Sequence, residues 1–236
     1  KIALVRLSSL GDVVHALGAL KSFGSEGDTI FWIVDEDFAQ ILEGSGVVSV
    51  AIPLRRAKRE RSLKLLYECY KILRALPSFD EVVDMQGLLK SALIARILKG
   101  RRWGFDKHSA KEGISALFYD KTVHIGYAEP IAKRNLTLLN AVFGKSVDSI
   151  NPPFLMPLCK GKYSYAKGSV MFAIGSSKEE KRYPKERFVE LANMIDGDIY
   201  IIATKKETED AEFIANRSKA KIAPHLELNE LTALLT

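Results

Sequence analysis

Two short segments place hydroxyls, backbone amides and charge where an apolar strand gives way to a helical pattern. The first is Ser8-Ser9-Leu10-Gly11-Asp12, directly after the apolar run that opens the sequence. In doubly wound α/β domains, ligands collect at the carboxyl ends of strands, where loops meet helix N-termini. Gly11 there permits close approach of a ligand or a positive φ angle. Asp12 stands where a carboxylate either caps the helix or acts as a general base facing a cleft. The segment matches neither the dinucleotide-binding glycine pattern nor a P-loop, so both of those readings lose support. His15, one turn further on, is expected to pack on the helix.

The second segment runs from Gly175 to Pro184. Ser176 and Ser177 offer hydroxyls and amides, and Lys181 offers a cation just before a helix N-terminus, a combination suited to phosphate. Lys178 and Arg182 are competing cations, and a solvated turn of mixed charge is the alternative reading. Glu207 and Glu209 follow the next strand, where an acid either receives ribose hydroxyls or sits favourably in the helix dipole. The histidines at 15, 108, 124 and 225 are scattered, without metal-ligand spacing. No metal and no cofactor is expected.

Composition narrows the class. The formal charge is +6, and six basic side chains face one acid between Arg55 and Lys64. A second basic cluster follows at Lys99, Arg101, Arg102, Lys107 and Lys111. Such clusters favour an anionic partner: nucleic acid, a membrane surface or a phosphorylated substrate. Cys69 and Cys159 are far apart and form no Cys-x-x-Cys pair, which argues for a reducing compartment and against a disulfide framework or a thiolate zinc site. No apolar run approaches the roughly 18 residues that span a bilayer. The first residues read as a strand rather than a signal peptide. A cytosolic or peripherally bound protein is expected.

Short apolar strands alternate with longer helical patterns, the signature of parallel α/β architecture. Strands are expected at 1–7, 29–34, 47–54, 79–85 and 101–106, and helices at about 13–23, 59–76, 87–98 and 128–143, with a short one beginning at 38–42. In the helix of 59–76, Leu63, Leu66, Tyr70, Leu73 and Leu76 form the apolar face and basic residues the outer one. Residues 151–168, rich in Pro, Lys, Gly and Ser, read as a linker between domains at 1–150 and 169–236. The alternation then restarts with strands at 169–175 and 198–204 and helices at 185–195 and 207–217. The last residues are read as helical without a closing strand. Two or three strands are few for a complete sheet, so the second domain reads as incomplete.

Several of these stretches are familiar in combination. KIALVRLSSLGDVVHALGAL at the start, DEDFAQIL at 35–42, DMQGLLKSALIARIL at 84–98 and GFDKHSAKEGISALFYDKTVHI at 104–125 resemble lipopolysaccharide heptosyltransferases, those of type I in particular. SSKEEKRYPKERFVEL in the second lobe is similar to the same family's phosphate-binding loop. The resemblance implies a GT-B fold, with two Rossmann-like domains facing a central cleft. It implies transfer of heptose, with inversion, from ADP-L-glycero-β-D-manno-heptose to the Kdo of lipid A at the inner membrane surface. Carried over residue by residue, it makes Asp12 the catalytic base and Lys181 the pyrophosphate ligand. Ser176, Ser177, Glu207 or Glu209, and Leu226 become donor contacts. Ser9, Gly11, Arg55, Arg56, Arg59 and Lys111 become acceptor contacts. Lys111 stands where the family usually has Arg, which keeps the charge but loses bidentate geometry. The family's Asp-Thr-Gly-x-x-His loop has no counterpart in this sequence. A type II heptosyltransferase and a basic nucleic-acid-binding protein are the alternatives. Residues 84–125 argue against the first. Against the second stand the lack of any nucleic-acid-binding pattern and the otherwise unexplained loops at 8–12 and 176–181, so no nucleic-acid partner is expected.

Overall fold

The computed structural model describes residues 1–23, 27–150, 168–176, 179–227 and 230–231. They form two compact units, Lys1–Leu158 and Cys159–Thr236. Residues 151–167, most of the expected linker, lie outside the described residues.

The first unit is built on β1 (Ile2–Val5), β2 (Ile30–Asp35), β3 (Val48–Ile52), β4 (Glu81–Asp84), β5 (Arg101–Phe105) and β6 (Lys121–Val123). All pairings are parallel, in the order β3-β2-β1-β4-β5-β6. Helices α1 (Leu10–Lys21), α2 (Leu54–Glu60), α3 (Leu63–Ala75), α4 (Leu89–Ile97) and α5 (Ile131–Phe143) complete it. Successive side chains of a strand point to opposite faces. Accordingly, Ile2 and Leu4 pack with α1 and α5, while Ala3 and Val5 pack with α3 and α4. Burial on both faces explains why β1 is continuously apolar rather than alternating. The chain runs outward from β1 in one direction to β3 and then returns to β4 on the other side. The carboxyl ends of β1 and β4 therefore flank the point where strand order reverses, the place where such sheets bind ligands.

Several elements differ from expectation. The segment at 36–42 is a 3₁₀ helix, Glu36–Leu42. The helix expected over 59–76 is two helices, broken at Arg61, which takes a left-handed φ of 50°. Its apolar residues are also divided differently. Cys69 and Leu73 face the core, whereas Leu63, Leu66 and Tyr70, expected there, are 81%, 44% and 46% exposed. The helix is apolar on two sides, and a list of apolar positions does not say which one the sheet covers. The strand β6, three half-polar residues at the sheet edge, was not foreseen.

The second unit has β7 (Val170–Ala173), β8 (Ile199–Ile202) and β9 (Lys221–Ile222) in one parallel sheet, with α6 (Lys185–Met194) and α7 (Thr208–Ala215). Phe172, Phe188, Ile199, Ile201 and Ile214 form its core. The two-residue strand β9 is exposed and carries no apolar run, which is why it was not read as one. Among the described residues, no helix is long and apolar enough to cross a membrane.

Gly104 ties β5 to the reversal point. A Cβ built on it would fall 2.2 Å from the Tyr119 ring, and the Tyr119 hydroxyl donates to Asp84 Oδ2 at 2.7 Å. Gly104→Ala is expected to cost about 1–3 kcal/mol through overpacking, read as a lowered midpoint in thermal unfolding.

Candidate active site

Arg6, the residue after β1, is 4% exposed. A buried cation needs a partner, and Arg6 has two: the Met85 carbonyl and Asp12 Oδ1, 3.0 Å from a guanidinium nitrogen. The other Asp12 oxygen accepts the Ser9 amide at 3.1 Å and the Ser9 hydroxyl at 3.0 Å. Asp12 thus closes the first turn of α1 and also faces Arg6, so the capping reading and the cleft reading describe one side chain. Gln86 holds the same turn from β4, accepting the Leu7 amide through Oε1 at 3.0 Å. Asp84 positions Gln86 by accepting its amide at 2.8 Å and that of Gly87 at 3.2 Å. Gly87 has φ +67°, which favours glycine. Asp84 is fully buried, and that burial raises its carboxyl above the usual range.

Arg6, Asp12, Met85 and Gln86 line a cleft of about 290 Å³ at the carboxyl ends of β1, β4 and β5, together with Phe105, Lys111, Tyr127 and Arg134. Arg134, on the first turn of α5, is buried. It donates to the Ser109 carbonyl at 2.6 Å and the Gly126 carbonyl at 3.3 Å. Its guanidinium lies 4.7 Å from the Phe105 ring centroid and 5.0 Å from that of Tyr127. Burial lowers its pKa. The cleft also holds Glu129, which is paired with Lys133 at 3.0 Å; three cations and the Asp12 carboxylate beside it suit an anionic substrate whose hydroxyl loses a proton.

In the second unit, the Ser176 carbonyl lies 3.4 Å from Arg182 Nε. Lys181 closes a 3₁₀ turn, Glu179–Lys181, and is exposed. Glu207 is buried. It accepts the Thr204 amide at 3.0 Å and the Thr204 hydroxyl, and it lies 3.7 Å from an Arg182 nitrogen. Gly175 fits against it: a Cβ there would come within 3.1 Å of the Glu207 carboxyl carbon. Glu209 is exposed on α7. A separate cavity of about 220 Å³ is lined by Thr204, Lys205, Thr208 and His225, with the half-buried Leu226 following in the chain.

The family model for glycosyltransferase family 9 (heptosyltransferase) matches residues 69–236. The chain belongs to that family. Lipopolysaccharide heptosyltransferase 1 of Campylobacter coli is 32% identical to it over 259 residues, a match covering 98% of the chain and 74% of the relative. The heptosyltransferase 1 of Escherichia coli K12 is 29% identical over 83% of the chain, which spans 64% of that protein. The solved E. coli heptosyltransferase WaaC with ADP-2-deoxy-2-fluoro heptose superposes with a TM-score of 0.81 at 26% identity, covering 98% of the chain and 78% of WaaC. The fold is accordingly the GT-B fold of the heptosyltransferases, and the chain is a glycosyltransferase of the heptosyltransferase I kind.

Within this family member, the structure brings Asp12 and Lys111 onto one cleft. Ser9 meets Asp12 directly. Gly11 has no positive φ, contrary to one of the two expectations, and a Cβ on it would meet nothing within 4 Å. Arg55 and Arg56 are paired instead with acids of the 3₁₀ segment: Arg55 with Asp37 at 2.8 Å and Arg56 with Glu36 at 3.3 Å. Arg59 lies 4.0 Å from Glu60. None of the three lines the Asp12 cleft; Arg55 lines a neighbouring one with Leu7 and Ser8. His15, expected to pack, is exposed, because α1 turns its buried side to Val13, Ala16 and Leu17. Ser177 lies outside the described residues. Arg6, Gln86 and Arg134 were missed. The one signal for them was Arg6 itself, a charge adjoining an apolar strand that is buried on both faces. The second basic cluster is partly neutralised, Arg101 by Glu81 and Arg102 by Asp120 at 2.6 Å.

Asp106 stabilises the loop that carries Lys111. Burial works to raise its carboxyl, but hydrogen bonds from Ser109, His124 and His108 outweigh it and bring the pKa down to about 2. An unfolded aspartate titrates near pH 3.9. A depressed folded value contributes stability above that pH, and the contribution is lost as the pH falls towards 2. Asp106→Asn is therefore expected to lower stability against urea at neutral pH, with the gap to the unsubstituted protein closing below about pH 4.

Proposed function

We propose that the chain transfers L-glycero-D-manno-heptose from ADP-heptose to the Kdo of lipid A, with inversion, in building the lipopolysaccharide inner core. Asp12 is the general base. The observation that carries this reading is the Asp12 carboxylate on a cleft at the strand-order reversal, paired with a buried arginine. Arg6 pairs with the carboxylate and fixes its orientation. The free face of Asp12 accepts the proton of the acceptor hydroxyl as that oxygen attacks the anomeric carbon from the side opposite the departing ADP. Lys111 and Arg134 suit the carboxylates of Kdo. Ser9 and Gly11 form the wall over which the acceptor approaches, and Arg55, Arg56 and Arg59 meet anionic groups further along it.

Residues 169–236 take the donor and residues 1–150 the acceptor. Lys181, Ser176 and Ser177 receive the diphosphate, where a cation and helix-terminal amides stabilise the leaving charge. The ribose falls to Glu207 or Glu209. Glu207 already serves Thr204 and Arg182, which favours Glu209 for a direct hydroxyl contact and gives Glu207 the work of holding the loop. Leu226 packs at the nucleotide. The enzyme works at the cytoplasmic side of the inner membrane. The resemblance to heptosyltransferase 1 proteins supports this assignment over the type II reaction, and the ADP-sugar analogue named with WaaC supports the donor.

Asp12→Asn is expected to lower kcat by about 10²–10⁴, with ADP-heptose affinity within twofold of the unsubstituted value. Transfer to Kdo-lipid A, followed by ADP release, checks the first part and calorimetry the second. Wild-type turnover in that variant would remove the base from the mechanism. Lys181→Ala is expected to weaken ADP binding about tenfold, the loss of one charge-assisted contact. Unchanged affinity for ADP would take Lys181 out of the donor site.

A further inference from the structure

Beside the candidate active site lies a cavity of about 510 Å³, within the range of small-molecule sites, about 300–1,000 Å³. It opens between α2 and α3 because Arg61 breaks the chain there in a left-handed conformation. Its apolar lining comes from Leu54 and Ala57 of α2, Leu63 and Leu66 of α3, and Leu7. The apolar surface continues outside it. Leu63, Leu66, Tyr67 and Tyr70 follow each other at helical spacing along α3, and all four are exposed. A stripe at i, i+3, i+4 and i+7 on a solvent-facing side is what a helix shows when its second face awaits an apolar partner.

The charged residues of the same cavity are Arg55, Lys58, Arg61, Lys90 and the buried Asp35. Asp35 is already engaged by the amides of Arg55 at 2.8 Å and Asp37 at 3.3 Å, and Arg55 is paired with Asp37. Lys58, Arg61 and Lys90 have no acidic partner among the described residues. They are also close enough to repel: burial and then Lys58 lower the pKa of Lys90, Arg55 adds to this, and Asp35 and Glu112 oppose it only in part. Apolar walls with four cations against the one engaged acid complement a molecule that is apolar over most of its length and anionic at one end.

We propose that the groove between α2 and α3 seats one acyl chain of a phosphorylated membrane lipid, with Lys58, Arg61 and Lys90 on its phosphate. The proposal rests on the reading above and deepens it, since it names the part of a lipid-linked acceptor held away from the reacting sugar. The groove shares the Leu7–Ser8 turn with the strand that carries Arg6, so a lipid seated there lies next to the catalytic turn.

The test is calorimetry of the full chain with lysophosphatidylglycerols of increasing acyl length, kept below their micellar concentrations. Glycerol phosphate and inorganic phosphate serve as chainless probes. Affinity is expected to rise roughly fourfold per added methylene until the groove is full. Leu63→Gln/Leu66→Gln, at exposed positions that leave the core intact, is expected to flatten that rise. Lys58→Gln/Lys90→Gln is expected to weaken binding by a similar factor at every length and keep the rise. Affinity independent of chain length, inorganic phosphate binding as tightly as the longest lipid, or a rise untouched by the leucine substitutions would each overturn the proposal. No sugar donor is present, so the outcome is independent of whether Asp12 catalyses heptose transfer.

Discussion

A guanidinium buried at the end of the central strand organises the first unit. Leaving Arg6 without a counter-charge would cost several kcal/mol, so the chain that follows β1 must return a carboxylate to it, and the chain that follows β4 must return a carbonyl. Asp12 and Met85 do this. The β1–α1 turn, the start of α1 and the turn after β4 are thereby fixed by one requirement. The carboxylate ends up held on both oxygens and still partly open to the cleft. An aspartate with no partner on that turn would cap the helix equally well but would have no defined direction.

The arrangement also explains why the cleft is rich in cations without their collapsing on Asp12. Arg6 takes Asp12, while Arg134 is spent on two backbone carbonyls and lies between two aromatic rings. Lys111 stays in solvent. Each cation has a different tether, so a substrate anion entering the cleft competes with water for Lys111 before it competes with protein for the other two.

What the sequence disclosed follows the physics of each element. Strands buried on both faces, such as β1 and β2, announce themselves as apolar runs, and the turn at Ser8–Asp12 carries residue types that few other loops combine. The break at Arg61 has no such mark, since neither Gly nor Pro stands there and the helical pattern continues across it. α3 misled because its exposed side is as apolar as its buried side, and period alone does not choose between them. β6 and β9 are too short and too polar to register. In the site, Asp12 and Lys111 were legible, one from its loop and the other through likeness to a family. Gln86 and Arg134 were not, because their importance lies in contacts to residues 79 positions away for Gln86 and to the carbonyls of two separate loops for Arg134.

Those two carbonyls belong to the loops after β5 and β6, and the side chain joining them is rooted in α5. Helix and loops are therefore tied into a single piece, although much of the far wall of the cleft is irregular chain. Drift accumulating along α5, even on the side packed against α1, is felt at the cleft as a change in wall position rather than in chemistry. Relatives that diverge along α5 can then reshape the cleft from helix positions that do not line it.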